Sequence, residues 1–295
     1  MIRDILKYAT SNLWSRKTRS FLSILSILIG ITSIFALISF GQGINQWVDT
    51  FAQEMGTDKI FLMPGGGLST SPGTSNILFN EDDLDFLRKI NGVDELTGMY
   101  ITSGKVNYKD YRDVYTFVIG LSTDSKEKKL VEEMFGGIEI IDGRAIKKGD
   151  ALKVTMGYSF TLDNKLFKKH LKVGDKIKIN DIDVEVIGFY EEVGSPTDDA
   201  QVYMTKEGYE KIFDPEGYEY IYIRAAPDQN PGDLAERIKE KFRKHRGLRE
   251  GEEDFSVQTF EDVLKTFTNI IFTNFLSSWG DNTSTLSSTN IIPTI

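Results

Sequence analysis

Glycine, histidine and carboxylate clusters are where this chain could hold a phosphate, a metal or a proton in transit. The triplet Gly65-Gly66-Gly67 follows an apolar run, a setting in which backbone amides can turn onto a phosphate. No Gly-Lys-Ser/Thr follows it and no helical pattern opens on it, so it reads as a flexible loop. His170 and His245 are the only histidines, each in lysine- and arginine-rich surroundings, and there is no cysteine. Zinc sites are built from several His and Cys ligands, so both histidines read as solvated and no metal site is expected. The pairs Asp181-x-Asp183 and Asp198-Asp199 and the run Glu252-Glu253-Asp254 offer carboxylates for acid–base work or calcium. None has the spacing of a calcium loop, and such runs are ordinarily solvated faces. No serine stands in a Gly-x-Ser-x-Gly turn. The chain is therefore expected to be no enzyme, with no catalytic residue and no cofactor.

The sharp signal is topological. Phe21 to Phe40 carries no charged residue and, as a helix rising about 1.5 Å per residue, reaches roughly 30 Å, the thickness of a bilayer core. Upstream stand Arg3, Lys7, Arg16, Lys17 and Arg19 against a single acid, Asp4; downstream, as far as Asp58, stand only acids. The positive flank Arg16, Lys17 and Arg19 puts the N-terminus in the cytoplasm and everything after Gly41 outside, at the cell membrane. A cleaved signal would have a shorter apolar core, about 7–15 residues, and a small-x-small exit, which Ile38-Ser39-Phe40-Gly41 does not supply.

The 295 residues leave room outside the membrane for one or two folded units, and 27 % charged with 12 % aromatic residues is the composition of folded protein. The net charge of −9 lies outside the membrane and excludes the basic face that nucleic acid requires. Without cysteines, that outer part must bury a hydrophobic core unaided.

Taken in order, residues 1–20 read as a cytoplasmic amphipathic helix, 21–43 as the transmembrane helix and 44–56 as a stalk continuing its apolar period. A strand follows at Asp58–Met63, then a helix with Asn80 as N-cap, acids in its first turn and Gly92 past its end. Strand patterns return from Glu95 to Leu121. In Lys176–Val186, a two-residue turn at Asn180-Asp181 would set Ile179 opposite Ile182 and Ile177 opposite Val184, placing the apolar side chains on one face of a hairpin. Tyr220–Ile223 is a strand, Asn230-Pro231 opens a helix with Leu234, Ile238 and Phe242 inward, and Phe255–Val257 is a further strand. These patterns predict an α+β fold. A discontinuous β-α-β lobe (57–121 and 214–262) surrounds an inserted, mostly β lobe (122–213). Residues 263–276 resemble the start of a second transmembrane helix, too short to cross, and 277–295 a disordered Ser/Thr-rich tail.

Several phrases, in order, resemble the MacB-type family of ABC transporter permeases. They are Arg16-Lys17-Thr18-Arg19-Ser20-Phe21-Leu22-Ser23, Gly30 inside the span, Gly41-Gln42-Gly43 at its outer end, Gly56-Thr57-Asp58-Lys59-Ile60 and Pro64-Gly65. Further along come Asp142-Gly143-Arg144, Val173-Gly174-Asp175-Lys176-Ile177, Val186-Ile187-Gly188-Phe189 and Asp199-Ala200-Gln201-Val202-Tyr203. The resemblance implies a homodimer with a two-lobed extracytoplasmic domain and three further spans. It also implies a partner cytoplasmic ABC ATPase whose cycle moves the outer domain to export or release a substrate. Against that pattern the chain reads as truncated or frame-shifted after about Leu276. The alternative from another class is a single-pass, membrane-anchored receptor or scaffold, which needs only the anchor and the lobes.

Overall fold

A computed structural model describes residues 17–67, 76–125, 127–134 and 138–279. The chain divides into two compact units, 1–50 and 51–295.

The first unit is built on α1, which runs unbroken from Lys17 to Met55. Residues 17–20, expected in a separate cytoplasmic helix, belong to this one helix, and it runs on through the expected stalk, 44–55, because Gly41 and Gly43 cost helix propensity without removing a hydrogen bond. Its segment Lys17–Ile44 is long and apolar enough to cross a membrane. Phe21, Leu22, Ile24, Ile27, Ile29 and Leu37 stand more than half exposed all around the helix, a surface suited to lipid rather than water. The Ser23 and Ser26 hydroxyls donate back to the carbonyls of Arg19 and Leu22, so neither is left unpaired in an apolar medium. The amphipathic pattern of residues 1–16 lies outside the described residues, Arg16 included.

The second unit is a ten-stranded mixed sheet in the order β10-β1-β9-β2-β3-β8-β5-β7-β4, with β6 pairing β2 and β7. The strands are β1 (Lys59–Pro64), β2 (Val93–Asn107), β3 (Val114–Leu121), β4 (Ile140–Gly143), β5 (Lys153–Met156), β6 (Lys176–Ile179), β7 (Ile182–Tyr190), β8 (Val202–Thr205), β9 (Tyr220–Ala225) and β10 (Phe255–Thr259). The helices are α2 (Glu81–Arg88), α3 (Lys128–Met134), α4 (Lys206–Phe213), α5 (Pro231–His245) and α6 (Phe260–Trp279).

Local signals explain most of these elements. Asn80 and Asp83 form a reciprocal capping box at the start of α2, and Asn230 accepts from the amides of Gly232 and Asp233 at the start of α5. The turn residues Asn180 and Asp181 both have positive φ, 45° and 68°, as a type I′ hairpin requires. Ile179 is accordingly paired with Ile182 and Ile177 with Val184, all but Ile182 buried.

The long strand β2 joins two half-sheets. Its first part, Val93–Met99, pairs with β9; from Tyr100 to Val106 it pairs with β3, and Val106 and Asn107 also meet β6. The expected boundary between residues 121 and 122 falls after β3, whereas the exchange of partners occurs inside β2, between Met99 and Tyr100. Alternation identifies a strand but not its neighbour, and β3 takes β8 as a parallel partner more than eighty residues away in sequence. At the other end, Thr259 and Asp262 cap α6, and Ser277–Trp279, expected in the tail, are helical. Residues 280–295 lie outside the described ones.

Alternate residues of the sheet serve two cores. One face carries Leu96, Tyr100, Val106 and Val118, with Tyr209 of α4 in the same core; the other gathers Ile101, Ile119, Leu121, Tyr190 and Tyr203. Gly98 belongs to the first face, where a Cβ would stand 2.6 Å from the Tyr218 ring. Gly98→Ala is therefore expected to lower stability by about 1–3 kcal/mol through overpacking, read as a fall in the thermal midpoint of the purified protein.

Candidate functional site

No group of three or more His, Cys, Asp or Glu among the described residues is arranged to hold a metal. The carboxylates and histidines singled out from the sequence are dispersed and engaged in local structure. Asp181 pairs with Lys105 at 2.9 Å, Asp199 accepts from the amides of Val193 and Gly194, and Glu253 and Asp254 pair with Arg243 and Arg246. His170 Nδ1 lies 2.8 Å from Asp163, whose carboxyl is held below its usual range by the His170 amide and ring. His245 differs from the solvated side chain expected of it. Its ring stacks on Phe86 at 4.0 Å, and Nε2 lies 3.3 Å from the buried Asp83. At the Gly65 turn the amide is already spent on the Asp254 carbonyl, at 2.6 Å.

Two features remain that can do mechanical rather than chemical work. The first is α1, with Lys17 and Arg19 on its first turn and Phe21 and Phe40 at the limits of the charge-free run. A Cβ added at Gly30, Gly41 or Gly43 would meet nothing within 4 Å, so these glycines leave open helix surface.

The second is the seam where β2 passes from β9 to β3. Four rings stack over it: Phe213 on Tyr209 at 4.5 Å, Tyr209 on Tyr100 at 5.0 Å, and Tyr100 on Tyr218 at 4.5 Å. Lys206 covers the Tyr218 ring at 4.7 Å and lies 3.5 Å from Glu127. Burial lowers the Lys206 amine below its usual range, with Glu127 and Glu81 opposing that shift. Burial also pushes the Tyr100 hydroxyl up to about 12, a shift that a hydrogen bond with Tyr218 opposes and donation to Glu210 at 3.1 Å reinforces.

Beside the seam, the segment bearing α3 is tied by ion pairs and a hydrogen bond to the half-sheet of β1, β9 and the first part of β2, and to Lys206 of α4. Glu127 accepts from Thr97 of β2 and pairs with Arg88. Glu133 meets Arg224 of β9 at 3.2 Å and the buried ammonium of Lys59 at 2.9 Å. Lys59 is also paired with Asp58, and it opens β1 four residues after α1 ends. Arg224 reaches Asp94 and Glu95 as well, at 2.9 and 2.6 Å. None of these seam residues stood out in the sequence, where charge is abundant. The one available signal was Glu219, a lone acid inside the aromatic strand pattern Tyr218-Glu219-Tyr220-Ile221-Tyr222.

The geometry has parallels in known proteins. Residues 20–241 match the MacB-like periplasmic core domain. An uncharacterized ABC transporter permease of Methanocaldococcus jannaschii is 28 % identical over 271 residues, which are 92 % of this chain and 65 % of that protein. The macrolide export ATP-binding/permease protein MacB of Chlorobium luteolum is 22 % identical over 266 residues, covering 88 % of this chain and 39 % of its own length. The chain thus spans less than two thirds of either relative. Among solved structures, the periplasmic region of MacB from Actinobacillus actinomycetemcomitans superposes with a TM-score of 0.55 at 16 % identity, covering 74 % of this chain and 96 % of that one. The extracellular domain of the ABC-type transporter YknZ from Gram-positive bacteria gives a TM-score of 0.50 at 18 % identity, over 68 % of this chain and all of that one. An N-terminal apolar helix followed by this α+β domain, matched over most of its length, shows that the chain belongs to the MacB-like periplasmic core domain family of ABC transporter permeases.

Proposed function

We propose that the protein is the permease, or mechanotransmitting, subunit of an ABC transporter. It would convert ATP hydrolysis by a cytoplasmic partner ATPase into movement of its extracytoplasmic domain, for export or release of a substrate. It performs no chemistry of its own, sits in the cell membrane with its N-terminus in the cytoplasm, and works as a homodimer. The observation that carries this reading is α1, a single helix from Lys17 to Met55 that contains the whole apolar span and ends just before β1. A helix without a break can pass displacement along its axis, because bending it costs hydrogen bonds. The positive flank and the relatives named as ABC transporter permeases support the orientation and the partner.

Two measurements on the native gene product in its own membranes test this. The chain has no cysteine, so single replacements report topology: Tyr115→Cys, at an exposed position, is expected to react with a membrane-impermeant maleimide in intact cells, and Ser20→Cys is not. Gentle extraction is expected to recover a nucleotide-binding subunit whose ATP hydrolysis rises in the presence of the permease. Labelling at Tyr115→Cys without any recovered ATPase would replace transport with an anchored receptor or scaffold; labelling at Ser20→Cys would overturn the orientation.

A further inference from the structure

One cavity is left unused by the mechanical reading. It holds about 340 Å³ and opens where β3 ends at Leu121, between α3 and residues Ala145–Lys148 of the connection from β4 to β5. Its floor continues the second core of the sheet: Leu121, Val131 and Tyr190 are buried members of that core, and Ile146 packs against it. The floor is therefore apolar, and the volume lies at the lower end of the range, about 300–1000 Å³, that small-molecule sites occupy.

The rim is held in place by its own backbone. The Arg144 amide donates to the Ile187 carbonyl at 2.9 Å, and its guanidinium donates to the buried Asp150 at 2.6 and 3.0 Å. Asp150 also accepts from the Lys147 amide at 3.0 Å. A Cβ at Gly143, whose φ is 78°, would stand 2.2 Å from that same Ile187 carbonyl, so the bend entering the loop requires glycine. These contacts fix the main chain while the side chains of Lys147 and Lys148 stand exposed, and neither ammonium forms an ion pair among the described residues. Glu132 is the single acid on the lining. The Ser122 hydroxyl accepts from the Asp124 amide at 3.2 Å and keeps its proton to donate. Two ammonium groups against one carboxylate give the mouth of the cavity the opposite sign to the chain's net charge of −9.

We infer that this cavity binds a dissolved, single-chain amphiphilic carboxylate, with its chain on Leu121, Val131, Ile146 and Tyr190 and its charge met by Lys147 and Lys148. An apolar floor alone would accept any small hydrophobe. The lysines select an anion, because an ammonium with no partner to give up gains the whole attraction of the incoming charge. A rim already fixed by Arg144 and Asp150 also spares the cost of ordering a loop on binding. The small volume favours one chain over the paired chains of a bilayer lipid. Binding here requires no ATPase, so it holds or fails apart from the transport reading.

The test uses the full chain in nanodiscs of zwitterionic phosphatidylcholine, without nucleotide or partner, and with empty nanodiscs as the blank. Calorimetric titration with hexanoate, octanoate and decanoate is expected to show one saturable site that tightens about fourfold per methylene until the cavity is filled. Octanol, with the same chain as octanoate and no charge, is expected to bind more weakly. The double variant Lys147→Gln/Lys148→Gln is expected to lose roughly fivefold in affinity for octanoate and none for octanol. Ala145→Phe, at an exposed position on the wall, is expected to weaken decanoate more than hexanoate. No saturable binding above the blank overturns the inference. Octanol binding as tightly as octanoate also overturns it, and would assign the cavity to neutral hydrophobes. Adding anionic phosphatidylglycerol to the nanodiscs, at about 0.15 M salt to screen the surface charge, separates the sources. Unchanged octanoate affinity supports a dissolved ligand, and displacement of octanoate overturns it in favour of a membrane lipid.

Discussion

Tyr209→Ala is expected to cost the extracytoplasmic domain about 3–5 kcal/mol, the range for removing a buried aromatic ring that neighbours cannot replace. The ring is 1 % exposed and lies second in the stack of four over the seam, between Phe213 and Tyr100. Its place is fixed from two sides. Thr205 caps α4 by accepting from the Gly208 amide, and Gly120 of β3 offers no Cβ where the Tyr209 Cβ and ring approach, at 2.9 and 3.0 Å. Aromatic pairs add about 0.5–1.5 kcal/mol beyond the buried area, so the loss should exceed that of an isolated core ring. Tyr209→Phe, which keeps the stack, is expected to cost less than about 1.5 kcal/mol. Denaturant unfolding of both variants checks the pair, and equal losses would show that the ring stack is not what holds α4 to the seam.

The second large effect is at Glu133. Lys59 is only 3 % exposed and is neutralised by Glu133 and Asp58 together, while Glu133 also receives Arg224. Glu133→Ala leaves a buried ammonium with one partner and removes a bridge from β1 to β9 through α3; about 2–4 kcal/mol should be lost. Adding Lys59→Met should return part of that loss, since the uncompensated charge is then gone. The double variant is expected to be more stable than the two single losses predict, by about 1–3 kcal/mol. Strict additivity would mean that the pair is held by its neighbours and contributes nothing itself.

Both of these sites depend on contacts that the sequence conceals, in contrast to the local elements that it discloses. The Asn80 and Asn230 caps and the Asn180-Asp181 hairpin depend on residues within about ten positions of one another, and the membrane span on one continuous apolar run, so capping chemistry and periodicity expose them directly. The seam depends on contacts such as Tyr100 with Tyr209 and Lys59 with Glu133, whose partners are far apart along the chain. Nothing local distinguishes Glu133 from Glu132 beside it or Lys59 from any other lysine, so the ion pairs beneath α3 were invisible. The same limit applies to the place where β2 changes partners. The strand pattern through Leu121 was legible, but the exchange of partners within β2 is a property of β9, β3 and β8 together. His245 read as solvated because its lysine-rich neighbours are on the helix, while Phe86, which it stacks on, is in α2.

The pairing of β1 sets a timetable for biosynthesis. Ile60 lies between Ile223 of β9 and Thr259 of β10, so β1 leaves the ribosome with neither neighbour yet made. At about 5–20 residues per second, β9 follows roughly 8–30 s later. For that interval Ile60, Leu62 and Met63, all destined for the interior, are an apolar strand with two open edges just beyond a membrane helix. The intervening half-sheet, whose strands lie closer together in sequence, has time to form first. A cell making this protein must therefore keep β1 from pairing elsewhere until the far end of the domain arrives.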